Sequence, residues 1–386
     1  MLIPLVILGP LAVDIFLPAL PVMTNALSTS SIHIQWTVTV YMFSLGLGQL
    51  FFGPVSDKIG RKPTLLVGII IYLLSGVAVA FTYDFFIHIV LRGLQGIGAC
   101  AIVVTTFASV TDSFNEQDSG KIYSYLHGVI FCIPALAPIL GYQLTMHYGW
   151  ESNFVFMAVL ALITVFFTMR FFKETVPSSH AKQPLLPSIQ SYKYVLSQPN
   201  FLLHSTLVMM SMATIMAFVS TAPNVFVLQY GLAEDVFTFW FSVNAATTII
   251  VSFSVPKLLK HFRLEELIIS GMSIVVLSGV LLLCLNDETN ILSYILPVII
   301  GTAGFALLLG SAIGKALAPF KEQAGLATAL LGFIQMSGSA AIVTLVQALE
   351  LPAIMQVVSF SLSFIPLFIL NLIMRTKLNN EQALSN

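Results

Sequence analysis

The 386-residue chain is 57% hydrophobic and only 9% charged, against roughly 25% charged in an ordinary soluble protein. Its 16 basic and 17 acidic side chains cannot coat a 42.0 kDa body with the dense mixed charge that water requires, so a water-soluble fold is excluded. A mean hydropathy of +0.94 excludes disorder as well; the net charge of -1 says little by itself, but the sequence has no basic stripe of the kind a nucleic-acid partner needs.

Runs such as Leu65 to Leu74 are continuously apolar, which fits helices and not the alternating strands of a membrane barrel. Hydropathy with turn and charge signals predicts six spans near 2–22, 34–55, 63–82, 85–109, 121–145 and 151–172. A second six follow near 200–228, 236–256, 265–285, 291–311, 324–348 and 352–374. The first run passes through Asp14 and has no small-residue cleavage pattern, so it reads as a span and not as a signal peptide. Between the sets, residues 173–198 hold Pro177, Pro184 and Pro187 among serines and lysines, the composition of a link outside the membrane. The expected architecture is therefore all-α, with twelve transmembrane helices in an N-terminal six-helix bundle (1–172), a cytoplasmic linker (173–198) and a C-terminal six-helix bundle (199–386). Cys100, Cys132 and Cys284 lie within apolar runs without metal-like spacing and read as small buried hydrophobes. No metal, cofactor or disulfide is expected.

Short cytoplasmic loops are enriched in Lys and Arg. On this topology every Lys and Arg except Arg92 falls on one side, while Asp84, Glu151, Glu234, Asp235, Asp287, Glu288 and Glu350 mark the other. Both termini are thus expected in the cytoplasm.

Arg92 and Asp14 remain at membrane depth. Each costs about 2.5 to 3.5 kcal/mol at the centre of a span, so such groups face a bundle interior or a water cavity and mark a substrate or proton route. At 1.5 Å per residue, Asp14 lies about 18 Å from the cytoplasmic start of the first span and Arg92 about 11 Å below the outer end of the fourth, so their depths nearly coincide. The expectation is a proton-titrating Asp14 paired with Arg92, burial and the cation acting in opposite directions on its ionisation; the bland alternative is a static ion pair that fixes packing. Pro4, Pro10, Pro18 and Pro21 crowd the same span. Each interior proline removes a backbone hydrogen bond and bends the helix, as befits backbone beside a cavity.

The turn between the second and third spans reads Gly53-Pro-Val-Ser-Asp57-Lys-Ile-Gly60-Arg61-Lys62-Pro63. Gly53 permits close helix approach, Gly60 suits a left-handed turn, Asp57 can meet a helix N-terminus or a cation, and Arg61 with Lys62 would anchor the inner face. This spacing resembles the signature loop of the major facilitator superfamily. Leu91-Arg92-Gly93-Leu94-Gln95-Gly96-Ile97-Gly98 resembles the fourth-span motif of that superfamily's drug and proton antiporters. In the fifth span, Pro134 and Pro138, four apart, favour a bend. There the antiporter pattern has Gly-Pro followed by two glycines, whereas this chain has Ala137-Pro138 and Gly141-Tyr142, a variant similar to the Bcr/CflA subgroup. Asp14-Ile-Phe-Leu-Pro18-Ala-Leu-Pro21 resembles that subgroup's first span, and Ser220 to Pro223, Phe241 to Asn244 and Ala318 to Gln335 extend the likeness over nearly the whole chain, toward its MdtL-like branch.

The resemblance implies two pseudo-symmetric bundles that rock between inward and outward states, with the first, fourth, seventh and tenth spans lining a central cavity. It implies proton coupling through Asp14 and Arg92, a gating role for Gly53, Asp57, Gly60, Arg61 and Lys62, and an antiporter-type kink at Pro134, Pro138 and Gly141. Gln95, Asn224, Asn244 and Gln335 are candidate cavity residues, equally able to bridge helices. His127, His204 and the run Met209, Met210, Met212, Met216 read more simply as interfacial and packing groups. The expected function is proton-driven export of small amphipathic compounds across the inner membrane by a monomer whose partners are substrate, protons and lipid. A dedicated exporter of an endogenous metabolite such as a siderophore is the nearest alternative, with Arg92 suited to an anionic group. A receptor or scaffold without transport fits the midplane acid less well. An enzyme fits least, since no nucleophile with a base, phosphate loop or metal-ligand cluster appears.

Overall fold

The computed structural model describes residues 2–30, 33–176, 189–232, 234–285, 287 and 290–385; Pro177, Lys182, Pro184 and Pro187 of the expected linker lie outside them. All regular structure among the described residues is helical. The helices are α1 (Leu2–Asp14), α2 (Leu20–Ala26), α3 (Trp36–Ile59), α4 (Arg61–Ala80), α5 (Phe85–Ser113), α6 (Glu116–Tyr148), α7 (Glu151–Phe171) and α8 (Ile189–Ser197). They continue as α9 (Pro199–Pro223), α10 (Glu234–Leu258), α11 (Leu264–Cys284), α12 (Leu292–Leu317), α13 (Ala324–Phe333), α14 (Ser339–Gln347), α15 (Ala353–Leu362) and α16 (Phe364–Ser385).

Eleven stretches among the described residues are long and apolar enough to cross a membrane. One, Leu292–Gln347, runs for 56 residues, more than twice the roughly 20 that a bilayer core needs. It is broken at Phe320, whose backbone (φ -108, ψ 35) is not helical, so it holds two spans, and the described residues carry the expected twelve.

Several spans are composite for readable reasons. The first is interrupted between α1 and α2, with Pro18 and Pro21 in the first turns of the helical pieces that follow, where a missing N–H costs nothing. Six-residue and five-residue π turns follow α9 at Asn224–Gln229 and join α13 to α14 at Ile334–Gly338; such turns favour functional positions.

The chain packs as two units. One comprises residues 1–115, 129–194 and 319–333, the other 116–128, 195–318 and 334–386. Leu8, Ala12 and Ile15 of the first span pack in the core of the first unit with Ile69 and Tyr72 of α4 and Phe154 and Met157 of α7. Phe218 and Ala222 of α9 pack in the second with Tyr294, Val298 and Val357.

Candidate functional site

Asp14 is the last residue of α1. The helix runs on only as far as the Ile15 amide, which donates to the Leu11 carbonyl at 3.1 Å; carbonyls beyond it lose their helical donors at the break, and side chains from three other helices reach that region. Arg92 Nη2 donates to the Ala12 carbonyl at 2.7 Å, Tyr41 Oη to Gly9 at 2.8 Å and Tyr72 Oη to Leu8 at 2.9 Å. Arg92 is completely buried. Its Nε also donates to the Thr37 carbonyl at 3.3 Å and its Nη1 to Gln95 Oε1 at 2.5 Å. The guanidinium carbon lies 4.6 Å from the Tyr41 ring centroid, 4.7 Å from Phe16 and 5.7 Å from Phe154, so aromatic faces supply much of its counter-field.

The expected Asp14–Arg92 ion pair does not form. Arg92 is satisfied by backbone carbonyls, a carboxamide and rings, and no ion pair or hydrogen bond holds the half-buried Asp14 carboxylate among the described residues. Gln95 is buried as the partner of Arg92, with its Nε2 unpartnered among the described residues. Gly141 of α6 joins the same place, because a Cβ there would overlap the carbonyl oxygen of Ile15, the residue after Asp14. Pro134 is exposed and Pro138 half-buried on the same helix.

A second cluster gathers the charged turn. Arg61 is 1% exposed. It does not anchor an inner surface: it bonds Asp57 at 2.7 Å, Asp112 at 2.8 Å and Ser56 Oγ at 2.6 Å. Asp57 also accepts from the amides of Gly325 at 2.7 Å and Leu326 at 2.9 Å, which open α13 and carry its positive dipole end. Gly53 makes room, since a Cβ there would overlap the Gly325 carbonyl oxygen. Gly60, at φ +109, turns the chain into α4. Glu174 accepts from the first amides of α4, Arg61 at 2.8 Å and Lys62 at 3.1 Å. Burial acts to raise the Glu174 pKa, but the amides of Val176, Arg61, Lys62 and Thr175 outweigh it and hold it below the ordinary value. Lys62 Nζ caps the Met169 carbonyl at 2.9 Å.

The remaining candidates sit in the second unit. Asn244 is 6% exposed with Oδ1 unpartnered among the described residues. Gln335 lies buried in the π turn, where its carbonyl accepts from Ser339 Oγ. No hydrogen bond joins Asn244 to Gln335 among the described residues, and the Asn224 side chain lies outside the description. His127 and His204 each bond a carbonyl one turn earlier.

Asp112, Glu174, Tyr41, Tyr72 and His88 were not singled out by sequence. His88 is completely buried against Trp150 and Phe154, with neither ring nitrogen partnered among the described residues. A histidine one turn before Arg92 was the available signal; Asp112 gave one as an acid beside a span end.

The Major Facilitator Superfamily family model matches residues 2–343. "Multidrug resistance protein MdtL" of Shewanella sp. (strain ANA-3) is 27% identical over 91% of this chain and 88% of its own length. MdtL of Vibrio parahaemolyticus serotype O3:K6 (strain RIMD 2210633) is 28% identical over 87% and 85%. Among solved structures, the Escherichia coli fucose:proton symporter FucP aligns with a TM-score of 0.78 at 12% identity, and the human organic anion transporter MFSD10 with 0.74 at 14%, each covering 96% of both chains. At those identities the likeness concerns the fold.

Proposed function

Because the chain belongs to the major facilitator superfamily, we propose that it is a multi-pass exporter of the cytoplasmic membrane that exchanges protons for small amphipathic compounds. The name shared by its relatives supports the drug-export reading. The placement of every Lys and Arg but Arg92 on one side of the twelve-span topology supports cytoplasmic termini.

The observation that carries the coupling is Asp14, a half-buried carboxyl at the end of a broken helix, free of any cation partner among the described residues. Arg92 fixes the α1 terminus through the Ala12 carbonyl, two residues from the acid, without neutralising it. In this reading Asp14 takes a proton from the outer side, releases it inside, and exchanges it for substrate as access alternates. Gly141 lets α6 follow the break, and the Asp57 clasp on α13 opens and closes with the cycle. Gln95 supports Arg92; Asn224, Asn244 and Gln335 contribute polar contacts to substrate.

One carboxyl carries one proton per cycle. That proton brings about 2.3 kcal/mol per 100 mV and about 1.4 kcal/mol per pH unit, and with a neutral substrate the exchange moves net charge. The metabolite-exporter alternative assigned an anionic group to Arg92, whose nitrogens and faces are already engaged. Labelled-drug efflux in vesicles under an imposed pH gradient tests the reading: Asp14→Asn abolishes proton-driven efflux at unchanged membrane level, and normal efflux by that variant would remove Asp14 from the mechanism.

A further inference from the structure

Pro54 sits inside α3 and has no N–H, so the carbonyl of Leu50, four residues earlier, lacks its helical donor. Tyr192 of α8 supplies one, its hydroxyl donating to Leu50 at 2.6 Å. Two residues on, the Tyr194 ring stands edge-on to Phe320 at 6.5 Å between centroids. Phe320 is the point at which the chain leaves helical geometry before α13. The short α8 therefore touches both elements of the clasp described above, α3 one turn before the Gly53 contact and the turn that delivers the Gly325 and Leu326 amides to Asp57.

A helix segment that has lost one rung is free to pivot at the gap, and Asp57 lies one turn beyond Pro54. We propose that Tyr192 is a positioning residue for this clasp: by filling the hydrogen bond that Pro54 removes, it fixes the end of α3 so that Asp57 meets the α13 amides, and α8 thereby becomes a latch on that state. The consequence for transport rests on the reading above, but the consequence for the clasp does not.

Hydrogen exchange on the full-length protein in nanodiscs tests it, followed on peptides covering residues 324–333 and α8. A neutral hydrogen bond contributes about 0.5 to 1.5 kcal/mol, so Tyr192→Phe, which keeps the ring, should speed exchange of the Gly325 and Leu326 amides roughly 2- to 10-fold. Pro54→Ala returns an N–H to the Leu50 carbonyl; in that background Tyr192→Phe should change the same amides less than twofold. Faster exchange confined to α8 would make Tyr192 a mere tether and overturn the proposal, as would an equal effect in both backgrounds. Should Pro54→Ala fail to accumulate, the single variant still decides between clasp and tether. Because exchange is read without transport, a silent Tyr192→Phe beside an inactive Asp14→Asn would sink the latch and leave the exporter standing.

Discussion

The break after Asp14 and the cluster around Arg61 use the same parts differently. Each places one buried arginine near a helix end and an acid. At Arg61 the acids are consumed: Asp57 and Asp112 both bond the guanidinium, and Asp57 also caps α13. At Arg92 carbonyls and aromatic rings take the guanidinium, and Asp14 is left without a partner among the described residues. A carboxylate held by a cation and two amides is tied in place and makes a fastening. One whose neighbouring cation is engaged elsewhere can gain and lose a proton without breaking an ion pair.

The largest effect expected from this contrast is on stability. Arg61→Met leaves Asp57 and Asp112 buried without their cation, a change that costs about 3 to 5 kcal/mol when one partner of a buried pair is removed. Thermal melting in detergent should fall steeply. A melting curve within a degree of the parent would mean that the two ion pairs fasten nothing, and the contrast would collapse.

Arg92→Lys comes next. Lysine keeps the charge but loses the planar fork, so it cannot serve Ala12, Thr37 and Gln95 together. A lost hydrogen bond to a charged group is worth about 1.5 to 3 kcal/mol, which predicts roughly 10- to 100-fold slower efflux although Asp14 remains present and ionisable. Wild-type efflux by this variant would show that charge alone suffices and that gripping the α1 carbonyls has no role.

How much of this could be read from sequence follows from what sets each feature. Span limits were legible within a few residues, as with α4 at 61–80 against an expected 63–82, because bilayer thickness fixes the length of an apolar run. Four prolines announced a disturbed first span but left its break unplaced. Proline forbids a hydrogen bond without choosing among neighbouring turns, and the choice falls where Arg92, Tyr41 and Tyr72 reach the backbone. The Asp57 bond to Gly325 joins residues 268 apart, with no local signal for the pairing. Asp112 fell beyond a fourth span read as ending at 109, whereas α5 runs to Ser113 and buries that acid beside Arg61.

The smallest effect isolates Glu174, the exposed outer edge of the fastened cluster. Its pKa is held below the ordinary carboxylate value because the amides of Val176, Arg61, Lys62 and Thr175 overcome the opposing effect of burial. A depressed folded-state pKa gives stability that is fully present above the unfolded value, near 4.3, and is lost as pH falls through the folded one. The parent and Glu174→Gln should therefore differ by a constant amount from pH 7 to about 5 and converge toward pH 3. The difference should stay under about 1 kcal/mol, since water screens an exposed carboxylate. Melting of the two proteins across this range measures it, and subtracting one curve from the other removes every contribution they share. A gap that widens on acidification would mean that Glu174 binds its proton more readily in the folded chain, and the amide cradle at the start of α4 would not be holding an anion.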